Sequence, residues 1–597
     1  MTATPIFPPQ GAIRQPDGSV RWCVWAPRCA ELTLVMWDQD PPREIRMQPT
    51  GEGYFVHEAT GVPEGLRYAY RLPDGRTLPD PASRWQPQGV HQPSAVVLVE
   101  DFPWSDGGWS GVSLDDLVIY ELHVGTFTPS GTFDGVIDRL AALADLGVTA
   151  IEIMPISQFP GGRNWGYDGV HPYAAQNTYG GPRGFQRMVD AAHRHGLAVV
   201  LDVVYNHLGP EGNYFADFGP YFSDRHHTPW GTSINYDGRD CEPVRRLVID
   251  NALMWVRDFH VDALRLDAIQ AIYDLGALHI LQELQDEVQR EAARQGRRVS
   301  VIGETDQNDP RLVTPVERGG YGLDGVWSDD FHHAVHAWLT GQRDGYFQPF
   351  GGAEQIVEAY NRVFVRDGRW DPYRRRRHGG PAGDLPRRQF VVCMQNHDQV
   401  GNRVGSRPAA AVAVRTLVVH GRGVRRAAAL SLLLFLRRCT AAQGRAARPP
   451  PRIRALGLSV GGHAPESHLG GNVSGRAADV ALGRGNASSR DAAAVPGPAV
   501  GTPNLAGAGG GQSDACLPGV LAQFRRRCLR IGTAARPRRR TRRVGQLDRR
   551  AREFARNAPR GQVAVAEHRS PTLRGLTIVE RGADSLGCLR AANLGFG

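Results

Sequence analysis

Four stretches decide the fold: Leu197–Asp202 (LAVVLD), Val261–Asp267 (VDALRLD), Val299–Glu304 (VSVIGE) and Val391–Asp398 (VVCMQNHD). Each is a short apolar run, of strand length, that leads into a carboxylic acid. Strands apolar on both faces belong in a parallel sheet covered by helices. The intervening segments agree, because Phe133–Leu146, Gly184–His195, Cys241–Phe259 and Tyr273–Gln295 carry apolar residues at helical spacing. With these four included, strands are expected at Val118–Val124, Ala150–Met154, Ala198–Val204, Ala263–Leu266, Val299–Gly303, Gly325–Ser328 and Gln389–Met394. Seven strands alternating with helices predict a (β/α)8 TIM barrel whose last β/α unit is lost. A doubly wound sheet is the runner-up, but no G-x-G-x-x-G follows an early strand.

Ahead of this region, residues 8–100 read as an all-β module. Arg21–Trp25, Leu32–Trp37 and Tyr68–Leu72 are rich in aromatic and β-branched residues and are separated by Gly and Pro turns. A β-sandwich is the simplest reading, and Pro79–Pro93 looks like an irregular Pro-rich linker into a catalytic region over 101–404.

The chain changes character after Val404. Residues 1–404 hold 37 Arg against 52 acids, whereas residues 405–597 hold 33 Arg against 9 acids, so a net charge of −15 gives way to +24. Of 48 aromatic residues only four, all Phe, lie in the tail. A basic segment suggests nucleic acid, but single-strand binding needs aromatic platforms that this one lacks. Ala, Arg, Gly and Pro are what GC-rich codons yield out of frame, and all 70 basic residues of the chain are Arg. The tail therefore reads as a frameshift product, aberrant and disordered. Its G-x-S-x-G (Gly457–Gly461) and N-x-S (Asn472–Ser474) matches lack the strand, helix or leader context that would give them meaning.

Composition excludes other classes. No run approaches the ~20 apolar residues of a membrane span, and MTATPIFPPQ at the start is no secretory leader. The eight Cys are scattered without a CxxC pair, which fits a reducing cytoplasm.

In such a barrel, polar residues at the C-terminal strand ends face one pocket. Asp202, Asp267, Glu304 and Asp398 would meet there with His207, Arg265 and His397. Arg265 and Asp267 are two apart, so on a strand both point the same way. An arginine beside a carboxylate favours the charged form that a nucleophile needs. Glu304 has no cation next to it in sequence and is the candidate proton donor. Two such carboxyls suit glycoside hydrolysis, with about 5 Å between them implying retention. The loop aromatics Trp165, Tyr167, Tyr173, Tyr214, Phe215, Tyr221 and Trp230 could stack on sugar rings. A metal hydrolase built on Asp202, His207 and Asp267 is less well supported, since no H-x-x-x-H or H-x-H accompanies them. The adjacent pairs His226–His227 and His332–His333 face opposite ways on a strand, and Arg374–Arg377 reads as a solvated loop.

DVVYNH (Asp202–His207), ALRLDAI (Ala263–Ile269), VIGETD (Val301–Asp306) and QNHDQVGNR (Gln395–Arg403) together resemble the motifs of glycoside hydrolase family 13, the α-amylase family. YELHVGTF (Tyr120–Phe127) and NWGYDGV (Asn164–Val170) are also similar to it. The resemblance implies that Asp267 is the nucleophile, Glu304 the acid/base and Asp398 the transition-state stabiliser. It implies that Tyr167, Asp202, His207, Arg265 and His397 bind the sugar next to the scissile bond; no cofactor and no metal ligand is assigned, although some relatives bind calcium near the position of Asn206. NHLGPEGNYF, TPWG and INYDG resemble members that release trehalose from maltooligosyltrehalose, and the substrate implied is such an α-1,4-glucan oligosaccharide, with no nucleic acid or membrane partner. A branching or debranching enzyme, or a non-catalytic α-glucan-binding protein, remains the alternative. The resemblance runs from about residue 8 to 403 and stops where an eighth strand should follow.

Overall fold

The computed structural model describes residues 7–393 and 395–401, with strands further on at Thr416–Val419, Val563–Arg569, Arg574–Arg581 and Leu589–Gly595. The last three pair antiparallel as one small sheet. The rest of 405–597, including the frameshift reading and the two discarded motifs, lies outside the described residues.

Seven parallel strands form the barrel: β1 (Val118–Leu122), β2 (Ala150–Ile153), β3 (Ala198–Val203), β4 (Ala263–Leu266), β5 (Ser300–Gly303), β6 (Gly325–Trp327) and β7 (Phe390–Cys393). Neighbours pair in that order. The seam between β7 and β1 is closed by β8 (Thr416–Val419), which runs antiparallel to both. No eighth parallel strand is found among the described residues.

Period-two alternation divides the barrel interior into layers. Leu117, Ile119, Ala150, Ala198, Val200, Ala263, Ile302, Trp327 and Val391 fill the lower part as one apolar cluster. The next inward positions, two residues further on from six of the strands, are Glu121, Glu152, Asp202, Arg265, Glu304 and Asp329, while β7 adds Cys393 to the floor. An apolar floor thus carries a charged ceiling, and β-strand geometry alone sets the spacing.

Helices Gly181–Arg194, Glu242–Arg257 and Ile280–Gln295 pack outside. Two expected helices are shorter than their apolar pattern. Tyr273–Gln295 begins only at Ile280, because Asp274 Oδ2 accepts from the Ile280 N–H at 2.7 Å and the His279 ring accepts from Leu281 N–H at 3.2 Å. Phe133–Leu146 is split at Asp138 and Arg139 into Phe133–Ile137 and Leu140–Leu146.

The N-terminal strands form two antiparallel sheets, one containing Val20–Trp25 and the other Thr33–Met36 and Arg67–Arg71. Trp22 from the first meets Tyr68 from the second edge-on at 6.1 Å, so the sheets pack face to face. Pro79–Pro93 is irregular but not a free linker: Asp80 is wholly buried, accepts from Tyr68 OH at 2.8 Å, and His171 Nε2 contacts the Val90 carbonyl at 3.1 Å. The sandwich is fused to the barrel through the segment 214–222, where Tyr221 OH donates to the Trp25 carbonyl at 2.9 Å and the two rings pack at 5.0 Å.

Beneath the barrel, the segment before β1 is tied down by charge. His193 contacts Asp106 Oδ2 through Nδ1 (2.7 Å) and Asp262 Oδ2 through Nε2 (2.9 Å). Arg297 and Trp109 donate to Asp262 Oδ1, and His260 contacts Asp106 while stacking on Trp104.

Candidate active site

The charged ceiling is organised around Arg265, which is 1% exposed. Its Nη1 donates to Asp202 Oδ2 (2.7 Å) and to Asp267 Oδ1 (3.2 Å), while Nη2 lies 3.7 Å from Glu304 and Nε 3.6 Å from Glu152. One guanidinium therefore faces four carboxyls drawn from β2, β3, β4 and β5. Its planar fork spreads donors and charge over three nitrogens in fixed directions, where a lysine would offer a single point charge.

Asp267 and Glu304 sit in different surroundings. Asp267 Oδ2 accepts from Asn206 Nδ2 at 2.9 Å, so both of its oxygens have donors. Glu304 Oε2 accepts from the backbone N–H of Ala268 at 2.7 Å. Ala268 adopts a left-handed conformation (φ +43°), a strain held where the two strand ends meet. Burial, only partly offset by Arg265 and reinforced by Asp267 and Asp398, pushes Glu304 up to about 8. A carboxyl protonated at neutral pH is able to donate. Sequence reading looked for the absence of a neighbouring cation, but the cause is burial, and Arg265 is in fact close.

Asp202 is likewise pushed up to about 7 by burial, against Arg265. Tyr167 OH donates to Asp202 Oδ2 at 2.8 Å and lies 2.8 Å from His397 Nε2, with the two rings stacked at 5.2 Å. The preceding turn needs glycine: Gly166 has φ +104°, and a Cβ there would fall 1.9 Å from the Pro155 carbonyl. Asn164 Oδ1 accepts from the Gly166 N–H at 2.7 Å, which explains the Asn-Trp-Gly-Tyr order. His207 contacts Asn206 and stacks on Trp230, while burial lowers its affinity for a proton. Asp398 Oδ1 is 3.5 Å from His397 Nε2.

All eight residues singled out from the sequence thus line one end of the barrel. Three residues of the ceiling were not singled out: Glu121, Glu152 and Asp329. Each shares strand parity with the interior residues two positions before it (Ile119, Ala150, Trp327), a signal available from the sequence. Burial, with Asp398 nearby, raises Asp329 to about 7; burial and Glu121 raise Glu152 well above the carboxylate range.

The loop aromatics divide into residues at the rim and residues buried in packing. Trp165 meets His397 edge-on and Trp230 is 42% exposed at the rim. Tyr173, Phe215 and Tyr221 are buried and serve packing, and Tyr214 OH contacts His91. The Arg374–Arg377 loop is not wholly solvated, since Arg374 turns inward to Asp306 at 2.6 Å. His226 contacts Asp237, and His332 and His333 are buried.

Comparison with known proteins adds four findings. The family model described as alpha amylase, catalytic domain, matches residues 97–231. A malto-oligosyltrehalose trehalohydrolase from Saccharolobus solfataricus is 50% identical, over 65% of this chain and 68% of its own length. One from Arthrobacter ramosus is 46% identical, covering 69% and 71% respectively. A crystal structure of an α-amylase-like protein from Salmonella typhimurium superposes with a TM-score of 0.62 at 40% identity, covering 66% of this chain and 67% of the other.

Proposed function

The chain belongs to the malto-oligosyltrehalose trehalohydrolases of the α-amylase family, and from that premise we propose how its barrel rim hydrolyses the α-1,4 bond next to the trehalose end of maltooligosyltrehalose. Asp267 attacks the anomeric carbon of the sugar on the non-reducing side of the bond. Glu304 gives its proton to the glycosidic oxygen, and trehalose leaves. The maltooligosaccharyl ester on Asp267 is then cleaved by water, which returns a proton to Glu304 and frees Asp267 with net retention. Asp398 stabilises the oxocarbenium-like transition state, and Tyr167, Asp202, His207, Arg265 and His397 hold the sugar beside the scissile bond.

The observation that carries this reading is the division of labour around Arg265. One carboxyl, Asp267, is held between Arg265 and Asn206, while the other, Glu304, is kept protonated by burial. Two carboxyls with environments pushed apart are what acid and nucleophile roles require. Among the described residues no helix is long and apolar enough to cross a membrane, and the scattered cysteines support a cytoplasmic setting for trehalose formation from glucan.

The test is product analysis on maltotriosyltrehalose and on linear amylose. Free trehalose from the first, with no new branch points in the second, is the expected result. Branched product without trehalose would favour a branching enzyme instead.

A further inference from the structure

The seam of the barrel, where β8 runs against its neighbours, is also crossed by a side-chain clasp. Glu121, on β1 and 1% exposed, reaches His397 just beyond β7. Its Oε1 lies 2.5 Å from His397 Nδ1, and its Oε2 accepts from the His397 backbone N–H at 3.0 Å. In a barrel of parallel strands, β1 and β7 are not neighbours, so this two-point grip joins strand ends that β8 separates.

We propose that Glu121 is a positioning residue for the reaction, clasping the His397–Asp398 corner across the seam and holding His397 as an imidazolium. The inference rests on the reading of His397 and Asp398 as part of the sugar site. The proton count follows from the partners. With Asp202 ionised, its Oδ2 accepts from Arg265 Nη1 and takes the single proton of Tyr167 OH. The tyrosine oxygen, 2.8 Å from His397 Nε2, can then only accept, and Nε2 must carry hydrogen. Nδ1 faces a carboxylate oxygen and must carry hydrogen too. Both ring nitrogens are donors, so the ring is charged.

The surroundings agree. Besides Glu121 and Tyr167, His397 meets Asp398, the next residue of its own helical turn, and the edge of Trp165. Arg265, Glu152, Asp202 and His123 are the other charged or titratable groups that act on it through space. Against its burial, Glu121 and Asp398 raise His397 to about 10. Held at both its ring and its backbone, His397 has no freedom to turn, and Asp398, the next residue in the chain, is aimed by the same grip. Sequence alone shows a glutamate inside an apolar strand. Its partner is 276 residues away.

The test is nitrogen NMR of the histidine ring in the full chain, with the His397 signal assigned by its loss in His397→Gln. The wild-type protein should show both ring nitrogens protonated throughout pH 7 to 8. Glu121→Gln, which keeps the shape and removes the charge, should lower the His397 midpoint by two units or more. It should also cut kcat on maltotriosyltrehalose by roughly 10- to 100-fold, with KM changed much less. A neutral His397 in the wild-type protein at pH 7 overturns the inference, whether or not the variant folds. So does a folded Glu121→Gln with wild-type kcat and pH profile. Asp267→Asn separates this from the underlying reading: if that variant still releases trehalose, the site reading itself fails. A dead Asp267→Asn beside an unaffected Glu121→Gln removes only the role of Glu121.

Discussion

At the C-terminal end of the barrel, Glu121, Glu152, Asp202, Asp267, Glu304, Asp329 and Asp398 gather around Arg265 and His397. At the N-terminal end, Asp106 and Asp262 are surrounded by His193, His260 and Arg297. Both clusters are largely buried, yet most of their carboxyls shift in opposite directions. Below, hydrogen bonds from His193 and His260 overcome the burial of Asp106 and hold it well under the usual carboxylate range; Asp262 is lowered in the same way. Above, burial wins at Glu304, Asp202 and Asp329, which are all raised, while Glu121, against its burial, is lowered by His397. An enclosed site with more carboxyls than cations cannot ionise them all, so some hold protons at neutral pH and become usable acids. Balanced charge fastens a segment, whereas unbalanced charge supplies chemistry.

Substitutions at the two ends should therefore fail differently. The largest effect is expected from Asp267→Asn, with trehalose release falling on the order of 10^4-fold or more while the fold is kept. Glu304→Gln should cost about 10^2- to 10^4-fold. With Glu304 intact, kcat/KM should fall as pH rises through about 8, because the acid loses its proton there. A pH profile of the glutamine variant that keeps this limb would assign it to another group.

At the lower end the change should appear in stability. His193→Asn leaves Asp106 and Asp262 without their shared partner and should cost about 3–5 kcal/mol in denaturant unfolding, with kcat of the folded protein within about twofold. His193 is raised in the fold: against its burial, Asp106 and Asp262 favour the charged ring. Its contribution is therefore full below its unfolded value of about 6.5 and lost as pH rises through the folded one. The Asp106 contribution has the opposite sign, being present above about 3.9 and lost as pH falls through its lowered value. His260→Gln is the mildest test. His260 is partly exposed and shares Asp106 with His193, so about 1 kcal/mol is expected. A larger loss there than at His193 would move the keystone of the network.

Much of this was legible in the residues themselves. Strands apolar on both faces announced the barrel, and acids at the ends of β3, β4 and β5 announced the rim. Arg265 and Asp267 were paired from their two-residue spacing alone, and the side chains meet at 3.2 Å. Glu121 and Glu152 were passed over because an acid inside an apolar strand looks like an ordinary polar position. Only its parity with the floor residues tells which way it points. The lower network was invisible for a different reason: Asp106, His193 and Asp262 come from three separate segments, and nothing local marks them as partners. The start of the helix at Ile280 depended on Asp274 folding back, a capping choice that apolar spacing does not encode. The sugar-stacking reading of Tyr221 gave way to Trp25, a residue of the other module.

The most direct test of the account is time-resolved proton NMR of maltotriosyltrehalose hydrolysis by the full chain. The trehalose anomeric signal should grow in step with a new reducing-end signal that appears first as the α-anomer and only later mutarotates. A β-anomer appearing first, or new reducing ends without trehalose, would contradict the assignment of Asp267 and Glu304 as nucleophile and acid at the upper end of the barrel.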